Sequence, residues 1–357
     1  MTVTGGFPAP GPQDREPARD GSYVGPPPTG LPVQQQIAMQ QVPMLTAHNP
    51  GIVPLRPLQF GDILDGAVKA VRFNPKSMVG LSALVLGAFL VPSAALGIGA
   101  THLMARFLSR FGPSAQVYLQ LPASLLQSLF TGLATAILSG LLIHVVGQAV
   151  LGRKPDIGHT WRSTRGRLLS LITLSFLAGG GGLLSAVLLI GPGVLLLVNG
   201  NITAGVILLL VGLVGTTAVA FGVSTKISMA APAIVLEGHG VLAGLRRSFA
   251  LTKGAAFWRI LGITLVAGIV AGIAGFLLKI PFQVIGVAIV AMTGQNTETG
   301  QLGVTFVSHL SGLLVGAITT PFVASVTGLL YIDRRMRLEA LDVVLLREAQ
   351  TNPAPRI

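Results

Sequence analysis

Six apolar stretches, each long enough to cross a bilayer, occupy this chain at residues 78–100, 124–151, 168–190, 202–224, 260–278 and 304–332. A spanning helix needs ~20 apolar residues, because the hydrocarbon core is ~30 Å thick and each residue rises ~1.5 Å. Lipid offers no partner to a bare backbone N–H or C=O, so each stretch is expected to be a helix. A transmembrane barrel shows short alternating segments instead. With 51% hydrophobic and 10% charged residues, the chain is too apolar for a water-soluble globule.

Charge sets the expected orientation. With the N-terminus inside, all but Arg106, Arg110 and Lys279 of the 24 basic residues fall on the cytoplasmic side. Positive loops favour that side. Both termini are therefore expected in the cytoplasm, with the first span acting as the targeting signal. A net charge of +12 often marks a nucleic-acid binder. Here the charge sits at span ends and faces anionic headgroups, so the expected partners are the bilayer and anionic lipids, not nucleic acid. The absence of cysteine excludes disulfides and thiol chemistry.

Residues 1–55 hold about half of the 23 prolines, with glycine-rich and glutamine-rich patches. Such a segment cannot bury a core and reads as a disordered cytoplasmic tail. It offers a possible docking point for protein partners through Pro26-Pro27-Pro28. Residues 56–348 form the membrane domain, and 349–357 a short C-terminal tail. The domain reads as three helix-pair units. Each opens with a basic amphipathic segment: Phe60 to Arg72, Ile157 to Arg167, and Leu242 to Lys253. Such helices would lie in the headgroup plane with Arg162, Arg165, Arg167, Arg246, Arg247 and Lys253 toward lipid phosphates. The long apolar run after Lys226 is expected to be a further interfacial helix.

Punctuation inside the spans gives finer expectations. Gly191-Pro192-Gly193 is expected to open an outer loop. Lys279-Ile280-Pro281 interrupts the fifth span, which leaves 282–292 as an outer-leaflet or re-entrant helix. Pro321 should kink the sixth span. Gly179 to Gly182 and the face Gly268, Gly272, Gly275 read as sites of close helix packing.

No H-E-x-x-H, Walker or nucleophile-elbow motif occurs, so neither an enzyme nor a cofactor is expected. Polar side chains at membrane depth are the remaining candidates: Gln127, His144, Gln148 and His309. A solute path would bring all four to one surface. The alternative is that each bonds a neighbouring helix. No carboxylate falls mid-span, which argues against carboxylate-based ion coupling.

Four segments carry a family resemblance. Leu55-Arg56-Pro57-Leu58 leads into Phe60-Gly61-Asp62-Ile63-Leu64-Asp65-Gly66-Ala67. Ala230 to Gly238 follows, then Leu245 to Phe249 with Phe257-Trp258-Arg259. Leu330 to Asp342 is the fourth. In that order they resemble the bacterial glycerophosphoryl diester phosphodiesterase membrane-domain family, of actinobacterial type. The resemblance implies a plasma-membrane domain that in some members precedes a catalytic domain. The catalytic His-Arg dipeptide of that class does not occur here, so the activity does not carry over. The chain therefore reads as an all-α polytopic membrane protein. A non-enzymatic scaffold or partner subunit touching anionic lipids is the expected role, with oligomers possible. A transporter or lipid-translocating protein is the alternative, and it requires a polar cavity rather than a sealed apolar core.

Overall fold

The computed structural model describes residues 51–110, 121–294, 298–339 and 341; residues 1–50 of the expected N-terminal tail and the expected C-terminal tail 349–357 lie outside them. Among the described residues there are ten α-helices and no strand. They are α1 (Phe60–Phe73), α2 (Leu81–Leu108), α3 (Leu121–Val150), α4 (Ile157–Thr164), α5 (Leu168–Val198), α6 (Ile202–Ile227), α7 (Ala230–Glu237), α8 (Val241–Leu251), α9 (Ala255–Thr293) and α10 (Glu298–Glu339). The six long helices, α2, α3, α5, α6, α9 and α10, are long and apolar enough to cross a membrane. Consecutive members pack as hairpins, α2 with α3, α5 with α6 and α9 with α10. A short helix precedes each pair: α1, α4 and α8.

The core lies at one end of the bundle, where α3 and α10 meet. Leu138, Leu141, Leu142, Val145 and Val146 of α3 interlock there with Leu329, Leu330 and Tyr331 of α10, all fully buried. Packing is uneven. The apolar window of α3 is 56% buried, whereas those of α5 and α6 are each 6% buried. The α5–α6 hairpin therefore holds itself together and meets the rest mainly through α3, α7, α8 and α9. Glycine makes that hairpin tight. A Cβ on Gly193 would lie 2.6 Å from the Leu209 nitrogen, and one on Gly212 only 2.1 Å from the Leu189 oxygen.

Several expectations need correction. Gly191-Pro192-Gly193 lies inside α5, and the turn falls at Asn199, Gly200 (φ 81°) and Asn201. Proline removes one donor, but lipid gives the freed carbonyl no water to turn toward, so the helix continues. Residues 282–292 likewise continue α9 through Pro281 and form no separate re-entrant helix. At 39 residues α9 is ~58 Å long, well beyond the ~30 Å core. Gly179 to Gly182, Gly268 and Gly272 have nothing within 4 Å of a built Cβ, so they are not close-packing sites; Gly275 alone of these approaches Val315.

The first opener is packed more deeply than a surface helix, whereas α4 is exposed along most of its length. The buried stripe of α1 is Ile63, Gly66, Ala67 and Ala70, and it faces α10. The Asp62 carboxylate accepts from the Gln59 backbone N–H at 2.9 Å and starts that helix. The run after Lys226 is no interfacial helix. Its middle is α7, buried between α3, α5, α8 and α10. Ser248 of α8 bridges the α6–α7 break by accepting from the Met229 N–H (3.1 Å) and donating to the Lys226 carbonyl (2.6 Å). The packed part also begins before residue 56, since Ile52, Val53 and Leu55 are buried.

Candidate functional site

Two polar features lie at opposite ends of the bundle. The first is a charged seam at the end holding the core. The Glu237 carboxylate, at the end of α7, accepts from the Tyr331 hydroxyl and pairs with Arg335 at 3.1 Å and Arg247 at 3.2 Å. Arg247 and Arg335 also pair with Glu339. Two carboxylates thus meet two guanidinium groups from three helices. Burial opposes the charge on Arg247, yet the bonds to Glu339 and Glu237 outweigh it and raise its pKa. Beside this cluster Asp333, fully buried, pairs with Arg259 of α9 and with Arg337 (2.9 Å). It also accepts from the Leu58 backbone N–H at 2.8 Å. The Leu58 carbonyl accepts from both Arg259 and Arg337, each at 2.8 Å. A single carboxylate and a single peptide unit therefore hold two arginines. Each described carboxylate of the seam meets at least one guanidinium, as its survival away from water requires, although the buried Nε of Arg247 has no hydrogen-bond partner among the described residues.

The second feature is a cavity of about 570 Å³ at the opposite end, between α2, α3, α9 and α10. Its polar lining is Ser93, Thr101 and His102 of α2, Gln127 of α3, and Ser308 and His309 of α10, with further hydroxyls. Gln127 also borders a groove of about 650 Å³ between α3 and α5, where Ser128, Thr131, Thr135 and Ser139 face Ser175. Steps of three and four place those α3 residues on one helix face. Ser128, Thr135 and Ser139 donate to carbonyls of their own helix at 2.8 Å. Their oxygens remain able to accept from a ligand. The stripe ends at Leu138, Leu141 and Leu142, which are fully buried. The polar surface is therefore open at one end and closed at the other.

The four intramembrane candidates do not form one path. Gln127 and His309 meet in the cavity. His309 Nδ1 lies 2.8 Å from the Thr305 carbonyl. His144 is buried further along α3, toward the charged end. It contacts Ser163 of α4, whose hydroxyl also donates to the His159 carbonyl at 2.7 Å. Gln148 is half-buried near the charged end, where its carbonyl accepts from Arg153 N–H at 3.0 Å.

The six proposed headgroup residues also divide. Arg162, Arg165, Arg246 and Lys253 are exposed. Arg167 instead donates to the Val235 carbonyl, and Arg247 joins the seam. Those two turn inward because α7 brings unpaired carbonyls and a carboxylate within their reach. Lys226 is likewise held by the Thr252 carbonyl at 3.0 Å rather than extended to headgroups.

Sequence reading passed over the seam residues Glu237, Arg259, Asp333, Arg335 and Glu339 as site residues. The i, i+4 spacing of Asp333 with Arg337 and of Arg335 with Glu339 was the available signal. It also missed Ser93, Thr101, His102 and Ser308, which no local pattern groups together. No family model, curated protein or solved structure matches the chain.

Proposed function

We propose that this chain handles an amphiphile in a bacterial plasma membrane, holding a polar headgroup in the cavity while the tails stay in lipid. The observation that carries the reading is the junction at Gln127. A cavity of about 570 Å³, within the usual size range of ligand sites, lies there beside a hydroxyl-lined groove between α3 and α5, and Gln127 lines both. A channel for free solutes fits less well, because the polar stripe stops at the buried leucines of α3. The function is lipid binding or one-sided lipid transfer without covalent chemistry. Bound lipids counted by native mass spectrometry test it. The purified chain is expected to keep a lipid through detergent exchange, and Gln127→Leu is expected to lose it several-fold. No retained lipid in the unaltered protein refutes the reading.

Orientation belongs to the same proposal. Both termini and the seam are cytoplasmic, and the cavity opens outward, as the placement of basic residues supports. Because the chain lacks cysteine, Ser109→Cys and Lys253→Cys give clean reporters at two exposed positions. An impermeant thiol reagent should label the first in intact cells and leave the second unlabelled. The reverse pattern inverts the topology.

The exposed Arg162, Arg165, Arg246 and Lys253 then serve anionic lipid on the inner face, each contributing ~1 kcal/mol. Exposed Trp161, Leu242 and Phe249 on the same short helices suit a headgroup boundary. A second reading, a partner subunit, is favoured by the bare α5–α6 hairpin. Membership in the diester phosphodiesterase membrane-domain family is proposed too. Its support is spatial: the four segments that carry the likeness supply Leu58, Glu237, Arg247, Arg259, Asp333 and Glu339, and these meet in the seam.

A further inference from the structure

Resting on the amphiphile reading, we infer that the cavity selects a headgroup carrying an anionic phosphate, recognised by His102, His309 and Arg106.

The charges of the two ends differ. Every carboxylate whose side chain is described lies at the seam end or on its connecting segments: Asp62, Asp65, Asp156, Glu237, Asp333 and Glu339. Glu298, which starts α10, falls outside the described side chains. The cavity lining holds two histidines, a glutamine and several hydroxyls, and no carboxylate among the described side chains. Arg106 follows His102 by four residues on α2, so both lie on one face of that helix. Arg106 is exposed and follows the lining Ala105 in sequence without lining the cavity itself.

Helix dipoles do not decide the sign. The first turns of α3 and α10 reach the cavity through Ala123 and Gly300, and the last turns of α2 and α9 through Ala105 and Val290. Two positive and two negative helix ends offset one another, so the side chains set the preference. At His309 a carbonyl can only accept, so Nδ1 carries a proton and Nε2 is left for the ligand. A protonated ring offers Nε2–H to a phosphate oxygen, and charge-assisted bonds of that kind are the strong ones. The serine and threonine oxygens suit the hydroxyls of a polyol attached to the phosphate. A cation would find no counter-charge among the described side chains of this lining, and an uncharged headgroup would leave His102 and Arg106 without a role.

The test loads delipidated, detergent-solubilised full-length protein with phosphatidylglycerol, phosphatidylcholine or diacylglycerol of matched chains. Retention is read by native mass spectrometry. Phosphatidylglycerol and phosphatidylcholine, both anionic phosphodiesters, are each expected to be held about tenfold better than diacylglycerol, the ratio that one charge-assisted bond supplies. The double variant His102→Asn with His309→Asn is expected to lose that preference while still holding diacylglycerol, which shows that it is folded. Arg106→Gln is expected to weaken the preference part-way. Displacement of phosphatidylglycerol by millimolar inorganic phosphate assigns the phosphate site to a soluble ligand; no displacement assigns it to lipid. Equal retention of all three lipids overturns the inference and leaves the amphiphile reading standing. Retention of none overturns both. A preference that survives the double variant overturns the assignment to these histidines.

Discussion

Asp333→Asn is expected to destabilise the protein by about 3–5 kcal/mol, the usual cost of removing one partner from a buried ion pair. The substitution keeps the shape and deletes the charge. Arg259 and Arg337 would then share only the Leu58 carbonyl, with no carboxylate beside them. The loss should appear as a lower unfolding temperature in detergent and poorer accumulation in the membrane. Asp65→Asn is the control. Its pair with Lys69 is as short, 2.7 Å, but both side chains are more than half exposed. Such pairs are worth only ~0–1 kcal/mol. Equal unfolding temperatures for the two variants would show that the seam contributes nothing to stability.

Gly212→Ala is expected to open the α5–α6 hairpin. The new methyl would sit 2.1 Å from the Leu189 carbonyl oxygen and 2.8 Å from its carbon. Backbone atoms cannot swing aside as a side chain does, so the helices must separate. Over-packing of this kind costs about 1–3 kcal/mol. The hairpin has few other contacts to absorb it, given how little of α5 and α6 is buried. Gly180→Ala, by contrast, meets open space, and alanine is the better helix former by ~1 kcal/mol. Thermal unfolding of the two variants should therefore move in opposite directions. A Gly212→Ala protein as stable as the parent would contradict the described packing of the hairpin.

The sequence made the spans legible because hydrocarbon imposes one rule on every backbone group. The same rule explains what was misread. Proline and glycine mark turns where water can solvate a freed carbonyl. A long apolar helix in lipid has no such solvation to gain by breaking, and α5 and α9 run on through Pro192 and Pro281. The amphipathic character of α1 was also visible, but periodicity reports an apolar face without saying what covers it. That face meets α10 rather than lipid. In the seam, the local pairs Asp333–Arg337 and Arg335–Glu339 follow from spacing. Their bonds to Leu58, Glu237 and Arg247 depend on which helices become neighbours, and spacing carries no such information. The cavity is harder still. Gln127 and His309 share it while His144, on the same helix as Gln127, faces α4. Which neighbours Gln127 and His144 meet depends on how deep each lies along α3 and which helices pack there, and neither is written in local spacing.

The clasp on Leu58 has a consequence for biosynthesis. Its partners lie 201, 275 and 279 residues further along the chain. At ~5–20 residues per second, the strap emerges tens of seconds before α10 arrives to bind it. Ile52 can pair with the Ala149 carbonyl as soon as α3 is made, but Leu58 waits for Arg259, and Arg259 waits a further 74 residues for its carboxylate. The seam is thus among the last contacts of the fold to close. A chain that stops short of its sixth span keeps unpaired charge and loose apolar residues at one membrane face, in reach of proteases, whereas a finished chain hides both in a single docking step.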